Sequence, residues 1–211
     1  MDIIKMPHNI YYIKNVIENP KEIIKIIEST NSSLNSNTIL SPWHGWGGTY
    51  LNEDAEDKTL YETDPKSIGS QKTKNKKWEK AQNEEDEKCI EVVRIIENAL
   101  ESATKYYCKE NNLKHTFRFS PLTISKYNQH GGMGTHVDSD SDFNKSASAI
   151  IYLNDEYEGG EVVFDSFEIS LKPEAGSILM FPSHTPYEHT VKAIKSGHKY
   201  MCSFVYLVED L

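Results

Sequence analysis

SASAIIYLNDEYEGGEVVFDSFEISL, residues 146–171, contains three short apolar runs, at 146–153, 161–164 and 167–171. Val, Ile, Phe and Tyr dominate them, residue types that fit a pleated, half-buried surface. Asn154, Gly159 and Gly160 punctuate the first gap, and Asp165-Ser166 predicts a tight hairpin across the second. The rhythm continues in both directions. SILMF (177–181), YEHTV (187–191) and KYMCSFVYL (199–207) follow; TFRF (116–119), LTISKY (122–127) and, past Gly131-Gly132, THVD (135–138) precede. Short strands at this spacing predict an antiparallel sandwich or barrel.

Upstream the pattern is different. Residues 8–17 alternate loosely and predict an opening strand. Asn19 then reads as an N-cap and Pro20 as the first helical residue, with Ile23, Ile24, Ile26 and Ile27 on the buried side and Asn31-Ser32-Ser33 as the stop. From about 32 to 80 the chain is rich in Ser, Asn, Gly, Asp and Lys, which predicts loop. Trp43, His44 and Trp46 sit there among glycines, and Lys72, Lys74, Lys76, Lys77 and Lys80 surround Trp78. This segment reads either as a surface loop pinned by its aromatics or as a lid over substrate. Residues 84–111 carry the longest helical pattern, with Ile90, Val93, Ile96 and Leu100 on one side. The fold expected is mainly β with flanking helices. It is a single domain over 1–211, with helical support over 1–114 and a β core over 115–211.

The composition narrows the function. A net charge of −9 argues against generic binding to nucleic acid backbones. No apolar run reaches membrane-spanning length, and the first residues lack a signal-peptide layout. Cys89, Cys108 and Cys202 form neither a disulfide framework nor a CxxC pair, which fits a reducing, cytoplasmic setting.

The chemistry starts at His136 and Asp138. On a strand, residues two apart point to one face, so their nitrogen and oxygen can converge on one point. A nitrogen from His189 would complete two histidines and one carboxylate, a set that holds a metal on one side and leaves the opposite positions open. Asp140 and Asp142 read as a solvated loop. Arg118 reads equally as a substrate contact or a core ion pair.

Around that pair the chain shows Tyr127, His136-x-Asp138, Tyr152-Leu153-Asn154, Gly159-Gly160-Glu161, Phe164, Pro173, Gly176-Ser177, Phe181-Pro182, His189, Val191 and Gly197-x-Lys199. In order and spacing this resembles the 2-oxoglutarate- and Fe(II)-dependent dioxygenases, and within them the prolyl 4-hydroxylase catalytic domain. The resemblance covers about residues 115–209. It implies a double-stranded β-helix (jelly roll) packed against N-terminal α-helices, with His136, Asp138 and His189 as catalytic iron ligands. His184 competes for the third place, but it lies in a turn, and the family's basic residue comes about ten positions after its distal histidine, which is Lys199 counted from His189. Lys199 is then implied to bind the distal carboxylate of 2-oxoglutarate, with Tyr127 beside it. The cofactors implied are Fe(II), 2-oxoglutarate and O2, with ascorbate as reductant in assays. The reaction implied is hydroxylation of an aliphatic C–H bond, of a peptidyl proline foremost and of a free amino acid or small metabolite as the alternative. A jelly-roll metal-binding protein without oxygenase activity is the further alternative. Neither nucleic acid nor membrane is expected as a partner.

Overall fold

Strands begin earlier in the chain than the alternation over 8–17 predicts. In the computed structural model, which describes residues 2–31, 43–47, 58–63, 84–118, 123–139 and 146–211, β1 (Asp2–Met6) and β2 (Ile10–Lys14) form an antiparallel hairpin. His8 and Asn9, expected inside a strand, form its turn at φ of 61° and 54°. β1 escaped the reading because it is exposed or half-buried throughout and has no apolar face.

α1 (Pro20–Asn31) starts where its cap predicts, the Asn19 carbonyl accepting from the Glu22 N–H at 3.1 Å. The loop expected over 32–80 is corrected in two places. β3 (Trp43–Gly47) pairs antiparallel with β4 (Lys58–Thr63), and β4 extends the sheet beside the strand Thr123–Tyr127. α2 (Glu84–Glu110) follows, then β5 (Leu113–Arg118), β6 (Thr123–Tyr127), β7 (Met133–His136), β8 (Ser146–Tyr152), β9 (Glu158–Gly159) and β10 (Val162–Phe164). The chain closes with β11 (Ile169–Leu171), β12 (Ser177–Pro182), β13 (His189–Val191), β14 (Ile194–Ser196) and β15 (Lys199–Asp210). The two-residue hairpin expected at Asp165-Ser166 is also corrected. Phe164 and Ile169 face each other, so the turn is four residues long. It contains a 3-10 turn at Asp165–Phe167 and has Glu168 at φ 54°.

The architecture is mainly β, and every strand pairing among the described residues is antiparallel. The larger sheet runs β1-β2-β12-β8-β15-β6-β4-β3, with β5 also on β15; the smaller runs β11-β10-β13-β7; β14 pairs with β9. β15 is long enough to pair with β6 through Lys199–Ser203 and with β5 through Tyr206–Asp210.

Alternation along these strands creates two cores. Ala147, Ala149, Ile151 and Leu153 join Cys202, Phe204 and Tyr206, together with Ile23 and Ile27 of α1 and Val92, Ile96 and Leu100 of α2. The opposite side of β8, Ile150 and Tyr152, joins Tyr127, Tyr157, Val162, Phe164, Leu179 and Phe181. Ser146 and Ser148 share the parity of Ile150 and Tyr152 and are fully buried. The second core therefore has a polar end, and the candidate site is there.

Candidate active site

β7 ends at His136, and the paired strand β13 begins at the residue directly opposite, His189. Their rings lie 4.3 Å apart. Asp138 departs from expectation: it lies just beyond β7, not on it, so strand alternation does not orient it. Its place is set by the backbone instead. The N–H groups of Asp138 and Ser139 both donate to the Ser183 carbonyl, at 3.1 and 3.2 Å. The result is still convergence: Asp138 Oδ1 is 3.4 Å from His136 Nε2 and 3.8 Å from His189 Nε2. One ligand atom from each of the three residues lies within 4.8 Å of the others, close enough to hold one metal ion.

The protonation of the imidazoles suits that use. His136 Nδ1 is 2.8 Å from the Gly134 carbonyl and His189 Nδ1 is 3.2 Å from that of Tyr187. A carbonyl only accepts, so each Nδ1 carries a proton, and Nε2 is the nitrogen that each ring turns toward Asp138. Burial lowers the His189 pKa more than nearby Asp138 raises it, which favours the neutral, ligating form. Burial pushes the Asp138 carboxyl up, but His136, His189 and the Ser148 hydroxyl together pull it below its usual value, so it stays ionised. Phe164 and Phe181 pack at 5.4 and 4.9 Å from the His189 ring and seat it in apolar surroundings.

Ser148 was not singled out in the sequence. Its Oγ is 2.6 Å from Asp138 Oδ2 and 2.8 Å from Ser183 Oγ. A hydroxyl has one proton and a carboxylate can only accept, so Ser148 gives its proton to Asp138 and the Ser183 hydroxyl donates to Ser148. The available signal was a pair of serines on one parity of an otherwise apolar strand.

Along the same side of β8 lies the second element of the site. Lys199 and Tyr127 are directly opposite on β15 and β6, and both are buried to 1% exposure. The Lys199 ammonium donates to the Gly160 carbonyl at 2.9 Å and lies 5.2, 5.7 and 6.0 Å from the ring centres of Tyr152, Tyr127 and Tyr157. The Tyr157 hydroxyl is buried and has no hydrogen-bond partner among the described residues. Gly160 has φ +69°, and a side chain there would meet the Tyr157 ring at 2.8 Å, so only glycine brings this carbonyl to the lysine. A cation, a bare hydroxyl and aromatic walls fit a small dicarboxylate such as 2-oxoglutarate.

His184 is not in the metal-ligating group; its ring lies 5.8 Å from that of Tyr187. Asp140, Asp142 and the lysines from 72 to 80 lie outside the described residues, as do the side chains of Arg118, Trp43, His44 and Trp46.

Residues 122–206 match the family described as the 2OG-Fe(II) oxygenase superfamily. A PKHD-type hydroxylase of Prochlorococcus marinus (strain MIT 9515) is 31% identical over 166 residues, covering 72% of this chain and 70% of that protein. The chain belongs to the 2OG-Fe(II) oxygenase superfamily. Fe(II) and 2-oxoglutarate are the cofactors of that family, and the His136, Asp138 and His189 group fits one metal ion. Human prolyl 3-hydroxylase 2 is 32% identical over 69 residues, 30% of this chain but 10% of that much longer protein. Among solved structures, a Trichoplax adhaerens prolyl hydroxylase in complex with a hypoxia inducible factor peptide fragment superposes with a TM-score of 0.66 at 14% identity. The match covers 95% of this chain and 84% of that one. At that identity the likeness is one of fold, the jelly-roll-like fold of these oxygenases.

Proposed function

We propose that this oxygenase hydroxylates a proline side chain within a peptide or protein. In this reading His136, Asp138 and His189 hold the iron, on a double-stranded β-helix backed by α1 and α2. Lys199 binds the distal carboxylate of 2-oxoglutarate, with Tyr127 next to it. The observation that carries the reading is the shared side of β8, with Ser148 at the three ligating residues and Tyr152 at the buried lysine. One strand thereby spaces a metal from an anion-binding ammonium.

When bound, iron with 2-oxoglutarate and O2 supplies conversion of an aliphatic C–H bond to an alcohol, with succinate and CO2 as co-products. The protein's residues do the positioning. The imidazoles of His136 and His189 and the Asp138 carboxylate would hold the metal and leave it room for cosubstrate and O2. Ser148 holds one oxygen of Asp138, so the carboxylate presents the other. Lys199 fixes the far end of the dicarboxylate with a charge-assisted hydrogen bond. Phe164 and Phe181 exclude water behind His189.

The test supplies Fe(II), ascorbate and 2-oxoglutarate, and offers proline-rich peptides beside free L-proline. Succinate release that requires 2-oxoglutarate, with one oxygen atom gained by the peptide in mass spectrometry, is expected. Oxygen gained by free proline alone would make the protein a metabolite hydroxylase. No consumption of 2-oxoglutarate under any condition would overturn the reading.

A further inference from the structure

Three turns meet at the end of the barrel where His189 lies. β12 ends at Pro182 and β13 starts at His189, so residues 183–188 connect them there. β10 runs antiparallel to β13 with Val163 opposite Thr190, which sets Phe164 level with His189 and the turn 165–168 at the same end. β2 runs antiparallel to β12 with Tyr11 opposite Met180, and two residues further the β1–β2 turn, 7–9, comes beside Pro182.

These turns carry a continuous strip of rings. His8 stacks on Phe167 at 4.2 Å with 14° between the planes; Phe167 meets Tyr187 at 5.1 Å, and Tyr187 meets His184 at 5.8 Å. His8 is exposed and the other three are half-buried, so ring faces remain accessible. Every Asp, Glu, Lys or Arg in the three turns is acidic: Asp165, Glu168 and Glu188. His184 adds a buried Nδ1 with no hydrogen-bond partner among the described residues. The strip adjoins the metal-ligating group directly, because Tyr187 supplies the carbonyl that orients His189.

We infer that this strip binds an extended, basic, proline-containing segment of the substrate as it crosses the mouth of the site. The inference deepens the reading above and rests on it. Flat aromatic faces take proline rings, and proline-rich chains dock on such surfaces with little ordering cost because they are already extended. Lysine or arginine between the prolines gains attraction to the ring faces and to the three carboxylates. An extended chain of this kind advances about 3.1 Å per residue, so the run of rings engages several residues, beyond the reach of a free amino acid.

The experiment uses the full chain and a fluorescein-labelled peptide of alternating proline and lysine, read by anisotropy with and without Mn(II) and 2-oxoglutarate. The matched peptide has glutamate for lysine. The lysine peptide is expected to bind at least about tenfold more tightly than the glutamate peptide. Phe167→Ala, and separately Asp165→Lys with Glu168→Lys, should each weaken it about tenfold, while Phe167→Tyr retains binding. Glu158→Lys, on β9 at the other end of the barrel, should bind as the parent does. Thermal melting establishes that each variant is folded. Equal binding of the two peptides, or binding unchanged by Phe167→Ala, overturns the inference. Binding of Mn(II) and 2-oxoglutarate, titrated separately, reports on the oxygenase reading alone, so the two can fail independently.

Discussion

Asp138 reaches the site with one of its oxygens already engaged by Ser148, and Ser148 is itself held by Ser183. Without that hydroxyl, Oδ2 would be a buried acceptor free to swing toward the metal or toward water. Ser148→Ala should therefore weaken Mn(II) affinity by roughly 10- to 100-fold, the usual consequence of losing a hydrogen bond behind a ligand. Titration calorimetry without 2-oxoglutarate reads this directly. An unchanged affinity would mean that the Ser183 carbonyl alone positions the loop. Lys199 answers to a different measurement. Lys199→Ala removes a charge-assisted hydrogen bond of about 1.5–3 kcal/mol, so the apparent KM for 2-oxoglutarate should rise on the order of ten- to a hundredfold. Mn(II) affinity should stay close to that of the parent, because Lys199 lies among the tyrosines and not among the three ligating residues. A KM unmoved by this substitution would remove Lys199 from the cosubstrate site.

At the scale of elements, legibility followed apolar periodicity. β8, β12 and β15 were readable because they are buried on both sides or alternate cleanly; α1 was readable from its N-cap and spacing, and α2 from its spacing. β1 was not, since its side chains are largely exposed. β9 and β14 are two and three residues long, too short to display any period. Gly159 shows what fixes them instead: at φ +76°, with the Ala193 carbonyl where a Cβ would sit at 2.2 Å, it admits close backbone pairing and no side chain. β3 and β4 were hidden by a composition that reads as loop. The same distinction holds inside the site. His136, Asp138 and His189 were legible as a motif, although Asp138 is oriented by Ser183 and not by its strand. Ser148, Tyr152 and Tyr157 act through the register of β8 and the fold around Gly160, which only the paired strands reveal.

For the whole molecule, the ligating group joins the two main sheets. His136 and His189 come from the smaller sheet, whereas Asp138 is tied to Ser148 of β8 and to Ser183 at the end of β12, both in the larger sheet. A divalent ion there binds the folded chain and finds no such group in the unfolded one. At about 100 times its Kd, Mn(II) should add about 2.7 kcal/mol of stability. For a chain of this size that is a rise in Tm of roughly 5–10 °C. The effect should be lost on the acid side. His189 has its pKa lowered from 6.5, chiefly by burial, so below that value the unfolded chain takes up a proton that the folded chain refuses. The unfolded state then binds more protons, and stability falls as pH falls. Asp138, its pKa held below 3.8, adds a further loss only in stronger acid. Metal binding requires both imidazoles neutral, so the increment from Mn(II) should shrink through the histidine range. Scanning calorimetry at about pH 7.5 and about pH 5, with and without Mn(II), should show a Tm that falls with acid and a metal increment that nearly disappears. An increment undiminished at the lower pH would mean that the ion is held by carboxylates elsewhere and not by His136 and His189.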